Sequence, residues 1–216
     1  MLPGPVNTPE HVARRYDRLA GFYGALSLAF GLRPSVRRAA VSALALRGGD
    51  AVLEVGCGRG DNLGALRAAV GEGGLVVGID VSPGMLERAE SRRRHGGWQN
   101  VELLCQDAAD LEVSGPFEAI LFSLSYSVME ARQATLASAW RLLRPGGQLV
   151  VMDAGLPDNV AGRLLGPLTR ALSRATVLGD PATRPWRDLD ELGAEAISVR
   201  WMAPGTYFVC SARKPV

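Results

Sequence analysis

One stretch of this chain combines residue types that can do chemistry: Glu54-Val55-Gly56-Cys57-Gly58-Arg59-Gly60-Asp61. Its glycines let the backbone turn sharply and come close to a ligand. The helix expected after them opens with free N–H groups. A dinucleotide site would set such groups around a pyrophosphate, with the spacing Gly-x-Gly-x-x-Gly. Here the third glycine comes one residue early, and carboxylates flank the loop at Glu54 and Asp61. Acids at both ends suit a cationic, amine-bearing ligand better than a diphosphate. Asp80 stands 20 residues beyond Gly60, the usual place for a carboxylate that accepts from ribose hydroxyls. Asp107 with Ala108 makes a third point, able to read an adenine edge through a side chain and the neighbouring backbone.

These groups can act together only if the fold lines them up. Residues 51–55 read as an apolar strand, 61–70 as a helix, 75–79 as a strand, and 83–94 as a helix with Pro83 in its first turn. Strands follow at 101–105 and 117–122, then a helix at 130–143 with Leu136, Ala139, Trp140 and Leu143 on one face. Pro145-Gly146-Gly147 turns the chain into a strand at 148–152. This alternation predicts parallel βαβ units covered on both faces. It places the glycine loop, Asp80 and Asp107 at the carboxyl ends of successive strands, where open α/β sheets bind ligands. Upstream, Val12, Tyr16, Leu19, Phe22 and Leu26 mark a helix over 9–31, and a second helix is expected over 34–46. Downstream, 160–178 reads as an amphipathic helix, 180–185 as a polar loop, and 196–201 with 207–212 as an antiparallel pair. The expected organisation is a single domain: a helical lid at 1–48, a ligand-binding core at 49–153, and a substrate-side helix and hairpin at 154–216.

The loop, Asp80 and Asp107 in register, and Leu143-Arg144-Pro145-Gly146-Gly147 before a further strand together resemble the class I S-adenosylmethionine-dependent methyltransferases over about residues 50–153. The resemblance implies an α/β fold: a Rossmann-like, doubly wound seven-stranded sheet with an antiparallel last strand, here with an N-terminal helical lid. It implies S-adenosyl-L-methionine as cofactor, with Gly56, Gly58 and Gly60 under the methionine part and Glu54 supporting the loop. Asp80 would bind the ribose, Asp107 and Ala108 the adenine, with Cys57, Asn62, Val81 and Ser123 as further cofactor neighbours. Met85 would pack either on the adenine or in the helix core.

Two further resemblances bear on the acceptor. Arg15-Tyr16-Asp17-Arg18-Leu19-Ala20-Gly21-Phe22-Tyr23 resembles the start of the ubiquinone/menaquinone methyltransferase family. Asp61-Asn62-Leu63 and Phe122-Ser123-Leu124-Ser125-Tyr126-Ser127 resemble small bacterial phospholipid and betaine-lipid N-methyltransferases. These imply Tyr16 and Tyr23 as lid groups near the methyl, and Ser123, Ser125 and Tyr126 as the substrate-side wall. Tyr16, Tyr23, Ser125 and Tyr126 are thus the candidate catalytic residues. The favoured reading is N-methylation of an amine-bearing lipid or other small amphiphile. C- or O-methylation of a quinone or secondary metabolite, and a non-catalytic adenosyl-binding module, stand as alternatives. The basic, amphipathic first helix suits either contact with a membrane surface or the role of a lid.

Composition narrows the classes. A net charge of +2 does not suit a chain that binds nucleic acid over its whole surface, and no Asn-Pro-Pro-Tyr type motif is present. Cys57, Cys105 and Cys210 lack zinc-ligand or redox spacing, so neither metal nor disulfide is expected. No apolar run approaches about 20 residues, and the first residues lack signal-peptide layout. The expectation is a cytoplasmic protein. Of the two histidines, His11 is a better base candidate than His95.

Overall fold

The computed structural model describes residues 34–156, 179–180, 182–202 and 206–216. The expected helices over 9–31 and 160–178, and with them Tyr16, Tyr23 and His11, lie outside the described residues. Seven strands form one sheet: β1 (Ala51–Val55), β2 (Leu75–Asp80), β3 (Val101–Cys105), β4 (Phe117–Ser123), β5 (Leu143–Ala154), β6 (Glu195–Met202) and β7 (Tyr207–Arg213). Their order is β3-β2-β1-β4-β5-β7-β6. The first five strands run parallel, and β7 is antiparallel to both of its neighbours. The described helices are α1 (Pro34–Ala43), α2 (Leu63–Val70), α3 (Pro83–His95), α4 (Arg132–Leu142) and α5 (Pro185–Glu191), with a single 3-10 turn at Tyr126–Val128.

The near-continuous apolar strands are explained by a core on each face. Successive strand residues point to opposite sides. Val52 joins Val36 and Ala40 of α1, Leu63 and Leu66 of α2 and Ala89 of α3. Leu53, next in the chain, joins Leu136 and Trp140 of α4 and Leu189 of α5. Burying each large apolar side chain contributes about 1.5–3 kcal/mol, so both helical layers are clamped to the same strands. Local signals fix the helix starts. The Ser82 hydroxyl accepts from the Met85 N–H at 3.1 Å, and Pro83 opens α3, where its missing N–H costs nothing.

Three boundaries and one additional helix differ most clearly from expectation, each for a physical reason. The helix expected to 46 ends at Ala43, because Ala45 adopts φ +52°. The helix expected from 61 starts at Leu63, since Gly60 N–H turns back to the Cys57 carbonyl at 3.0 Å. The strand expected at 148–152 spans Leu143–Ala154, because Leu143 already pairs with Phe117 before an irregularity in the ladder. Helix α5 was not expected: only Pro185 and Leu189 are buried in it, too few for a period, and Pro185 opens the helix instead of prolonging a loop. The terminal pair is a hairpin whose second strand, β7, inserts beside β5.

Candidate active site

Strand β1 lies between β2 and β4, whose connections leave in opposite directions, so a crevice opens at the carboxyl ends of these strands. A cavity of about 300 Å³ fills it. Its walls bring together Glu54, Gly56, Cys57, Gly58, Asp80, Val81, Met85, Asp107, Ala108, Ser123 and Ser125 from the sequence-derived set. Met85 lines this cavity while only 4% exposed, so it is both wall and core.

The glycine loop is held by its own amides. Gly56 N–H and Cys57 N–H donate to the Ile79 carbonyl at 2.9 and 2.8 Å, and Gly58 N–H donates to Asp80 Oδ2 at 2.8 Å. Asp80 Oδ1 accepts from Ser82 N–H at 2.9 Å. The loop therefore carries no open nest of amides at 56–58, and carboxyl groups dominate its polar surface. Glu54 is 1% exposed; its Oε1 accepts from Asn62 Nδ2 at 2.6 Å, while Oε2 is buried without a hydrogen-bond partner among the described residues. Burial pushes the Glu54 carboxyl up to about 7, against the opposing pull of the Asn62 hydrogen bond and the Arg37 charge. Burial likewise raises the Cys57 thiol, leaving a neutral wall beside Gly78.

The adenosine side is built by β2 and β3. Asp107 Oδ1 accepts from Ala109 N–H at 2.9 Å, and this turn presents Gln106, Asp107 and Ala108 to the cavity. On the far side, Leu124, Val128 and Met129 follow β4 and give an apolar wall. That wall is pinned from behind. Asp153, at the end of β5 and 2% exposed, accepts from Ser127 N–H and Oγ, each at 2.8 Å, and from Ala154 N–H at 2.8 Å. Burial still lifts its carboxyl to about 6.

Three sequence-derived assignments need correction. Tyr126 is fully buried and does not line the cavity; its hydroxyl donates to Asp188 Oδ2 of α5 at 2.8 Å, and burial with that neighbour drives its pKa upward. It pins the core instead of forming the substrate wall. Asn62 is 3% exposed and sits behind Glu54, orienting that carboxyl without facing the cavity. Gly60 serves packing: a Cβ there would lie 2.6 Å from Leu63 Cδ1 and 3.2 Å from Ala89 Cβ. Ser125 does reach the cavity, but its hydroxyl is tied to the Val55 carbonyl at 2.6 Å.

Sequence reasoning missed Arg37. From α1 it lines the cavity, with Nη1 donating to Ser123 Oγ at 3.3 Å and Asn62 Oδ1 at 3.4 Å, and Nη2 to Asp61 at 3.3 Å. Asp61 also meets Arg59 at 3.0 Å and Arg92 at 2.9 Å, so α1, the loop and α3 are joined at the mouth. The available signal was the cluster Arg33, Arg37 and Arg38 just before β1.

Fold and loop together define a Rossmann-like cofactor-binding domain. The family model described as methyltransferase domain matches residues 52–147. The chain is 35% identical to the nocamycin O-methyltransferase of Saccharothrix syringae over 154 residues, 71% of this chain and 54% of that protein. It is 31% identical to the demethylmenaquinone methyltransferase of Tropheryma whipplei over 198 residues, 85% of this chain and 77% of that protein. The chain thus spans about half the length of the first of these relatives and three quarters of the second. A methyltransferase of Aquifex aeolicus described as S-adenosylmethionine-dependent shares the fold with a TM-score of 0.64 at 22% identity, covering 82% of this chain and 88% of that one. The chain belongs to the class I S-adenosylmethionine-dependent methyltransferases. The residues present fit that cofactor. Glu54 lines the cavity and its buried Oε2 has no hydrogen-bond partner among the described residues, so it can accept from a cationic amino group, and the cavity offers carboxylates at both ends of the loop. Among the described residues no cluster could hold a metal, and no helix is long and apolar enough to cross a membrane.

Proposed function

We propose that this chain transfers a methyl group from S-adenosylmethionine to carbon or oxygen of a small acceptor that carries an acidic enol or phenol, of the quinone or aromatic metabolite kind. The observation that carries this reading is the pair of relatives matched over more than two thirds of the chain, one named for O-methylation and one for a demethylmenaquinone. An apolar acceptor wall of Leu124, Val128 and Met129 agrees with it, since a flat, weakly polar acceptor is retained there by burial. We rank it above N-methylation of an amine lipid, for which neither of these two relatives is named.

S-adenosylmethionine supplies, when bound, a methyl group already activated on a sulfonium, so the protein's share is alignment and exclusion of water. Glu54 takes the amino group and Arg37 the carboxylate of the methionine part. Asp80 accepts from the ribose hydroxyls; its own hydrogen bonds to Gly58 and Ser82 fix the carboxylate in place. Asp107 and Ala108 meet the adenine, with Val81 and Met85 packed against it. Gly56, Gly58 and Cys57 form the floor, and Ser123 holds Arg37 toward the methionine end. Tyr16 and Tyr23 remain assigned to the cover over the reacting groups.

A labelled-methyl assay decides the acceptor class. The panel holds a hydroxynaphthoquinone, simple phenols, phosphatidylethanolamine vesicles and small amines. The expected result is label in the enol and phenol products. Label only in the amines would overturn the reading, and no label with any of them would remove the support from the acceptor class.

A further inference from the structure

We propose that the first turn of α4 is a binding subsite for an oxygen of the methyl acceptor, a carbonyl or oxyanion, with the Thr135 hydroxyl as its principal donor. This rests on the acceptor class proposed above and specifies where that acceptor is gripped. Helix α4 begins after Ala131, a residue with no side chain able to cap it, and none does. The leading N–H groups of a helix have no partner within it and carry partial positive charge. Glu130 and Ala131, just before the helix, and Thr135, in its first turn, line the cavity.

Thr135 is the independent observation. It is 1% exposed, and it lines the cavity. A threonine in a helix commonly turns its hydroxyl back to the carbonyl four residues earlier. Here that carbonyl, of Ala131, accepts the Thr135 N–H at 2.9 Å, and the hydroxyl makes no hydrogen bond among the described residues. The side chain is packed, yet its hydroxyl is left for a ligand in the cavity to complete.

The cofactor's polar groups are accounted for elsewhere. Asp80, Asp107, Glu54 and Arg37 reach them from β2, β3, β1 and α1. Helix α4 comes from beyond β4 and completes the wall that Val128 and Met129 begin. Glu130 is exposed, two residues before Arg132 opens the helix. The Thr135 hydroxyl, facing this apolar wall, can donate to a carbonyl or oxyanion of the acceptor.

The test reads binding without turnover. 2-Hydroxy-1,4-naphthoquinone, whose visible absorption reports its ionisation, is titrated into the protein saturated with S-adenosylhomocysteine. Thr135→Val should weaken the probe about tenfold and raise the apparent pKa of the bound enol. Thr135→Ser should stay within about twofold of the native protein. S-adenosylhomocysteine affinity should stay unchanged in both, which also shows that both are folded. Unchanged probe affinity in Thr135→Val, no probe binding to the native protein, or a loss confined to S-adenosylhomocysteine would each overturn the subsite. Thr135-dependent probe binding with methyl transfer only to amines would overturn the acceptor class and sustain the subsite. Methyl transfer to phenols that Thr135→Val leaves intact, with equal probe affinity, would do the reverse.

Discussion

Gly56 and Gly58 are indistinguishable in the motif and differ in the structure, which allows stability and ligand binding to be separated. At Gly56 φ is +72°, and an added Cβ would lie 2.5 Å from Ser125 Cβ and 3.1 Å from its Oγ. Ser125 has little room to yield, being 5% exposed and tied to the Val55 carbonyl at 2.6 Å. At Gly58 φ is +55°, and the added Cβ would meet nothing within 4 Å, because that space is the cavity. A left-handed alanine costs about 1–2 kcal/mol at either site. Overpacking adds about 1–3 kcal/mol at Gly56 alone. Gly56→Ala should therefore lose about 2–5 kcal/mol and Gly58→Ala about 1–2. In a domain of this size that corresponds to roughly 10 °C against roughly 4 °C in Tm. Affinity should run the other way. The methyl at Gly58 intrudes on ligand volume, and about 2 kcal/mol of overlap is about 30-fold in Kd for S-adenosylhomocysteine. Gly56→Ala, measured well below its Tm, should bind within about fivefold of the native protein, because its strain is borne by Ser125. Thermal unfolding and titration calorimetry on both variants give the four numbers. Equal losses of Tm, or native affinity in Gly58→Ala, would refute the division of labour between the two glycines.

Three further outcomes follow from the same geometry. Glu54 has a pKa of about 7 against an ordinary 4.5, so its contribution to stability is full below about pH 4.5 and lost as pH rises through 7. A cationic amino group favours the ionised form, so S-adenosylhomocysteine should bind more tightly at pH 8 than at pH 6, by up to about tenfold, with proton release that Glu54→Gln abolishes; calorimetry in buffers of different ionisation enthalpy reads this directly. Asp153 is likewise raised, to about 6 from 3.8, so native stability should decline between those values, and Asp153→Asn should remove that decline. The same variant turns one carboxyl oxygen into an amide donor that faces at least one backbone N–H, of Ser127 or Ala154, and should cost about 1–3 kcal/mol, measured by denaturant unfolding at several pH values. Tyr126→Phe loses one hydrogen bond to Asp188 and should cost about 1 kcal/mol of stability with kcat within twofold; a hundredfold fall in kcat would restore a catalytic role.

Much of the frame was legible because its signals are periodic. Strands β1 to β4 are short apolar runs set between turn residues, and the helical stripe Leu136, Ala139 and Trp140 lies in the core as its spacing required, whereas Leu143 is buried there as the first residue of β5 and not on the helix. What periodicity does not carry is the facing of a side chain inside one turn. Tyr126 and Ser125 are neighbours in a polar segment, yet one ring enters the core and one seryl side chain meets the cavity. Thr135 stands beside the core stripe, and only the packing of the helix on β5 and on the 3-10 turn at Tyr126–Val128 turns it to the ligand space. Arg37 lies 24 residues before Asp61, its partner, so only the packing of α1 on the sheet brings it to the mouth.

The early third glycine shows how far a spacing argument reaches. Acids around the loop favour a cation over a diphosphate, and the structure supplies the mechanism. A phosphate cradle needs unspent amides. Here Gly56, Cys57, Gly58 and Gly60 give theirs to Ile79, Asp80 and Cys57. Bringing Gly60 one residue forward lets Cys57 close a tight turn on it and lets Leu63 and Ala89 pack where a side chain would stand. The turn sends Asn62 inward onto Glu54, leaving the other carboxyl oxygen unpartnered. With its amides spent internally and that buried carboxyl oxygen unpartnered among the described residues, the loop offers a cation an acceptor and a diphosphate few donors.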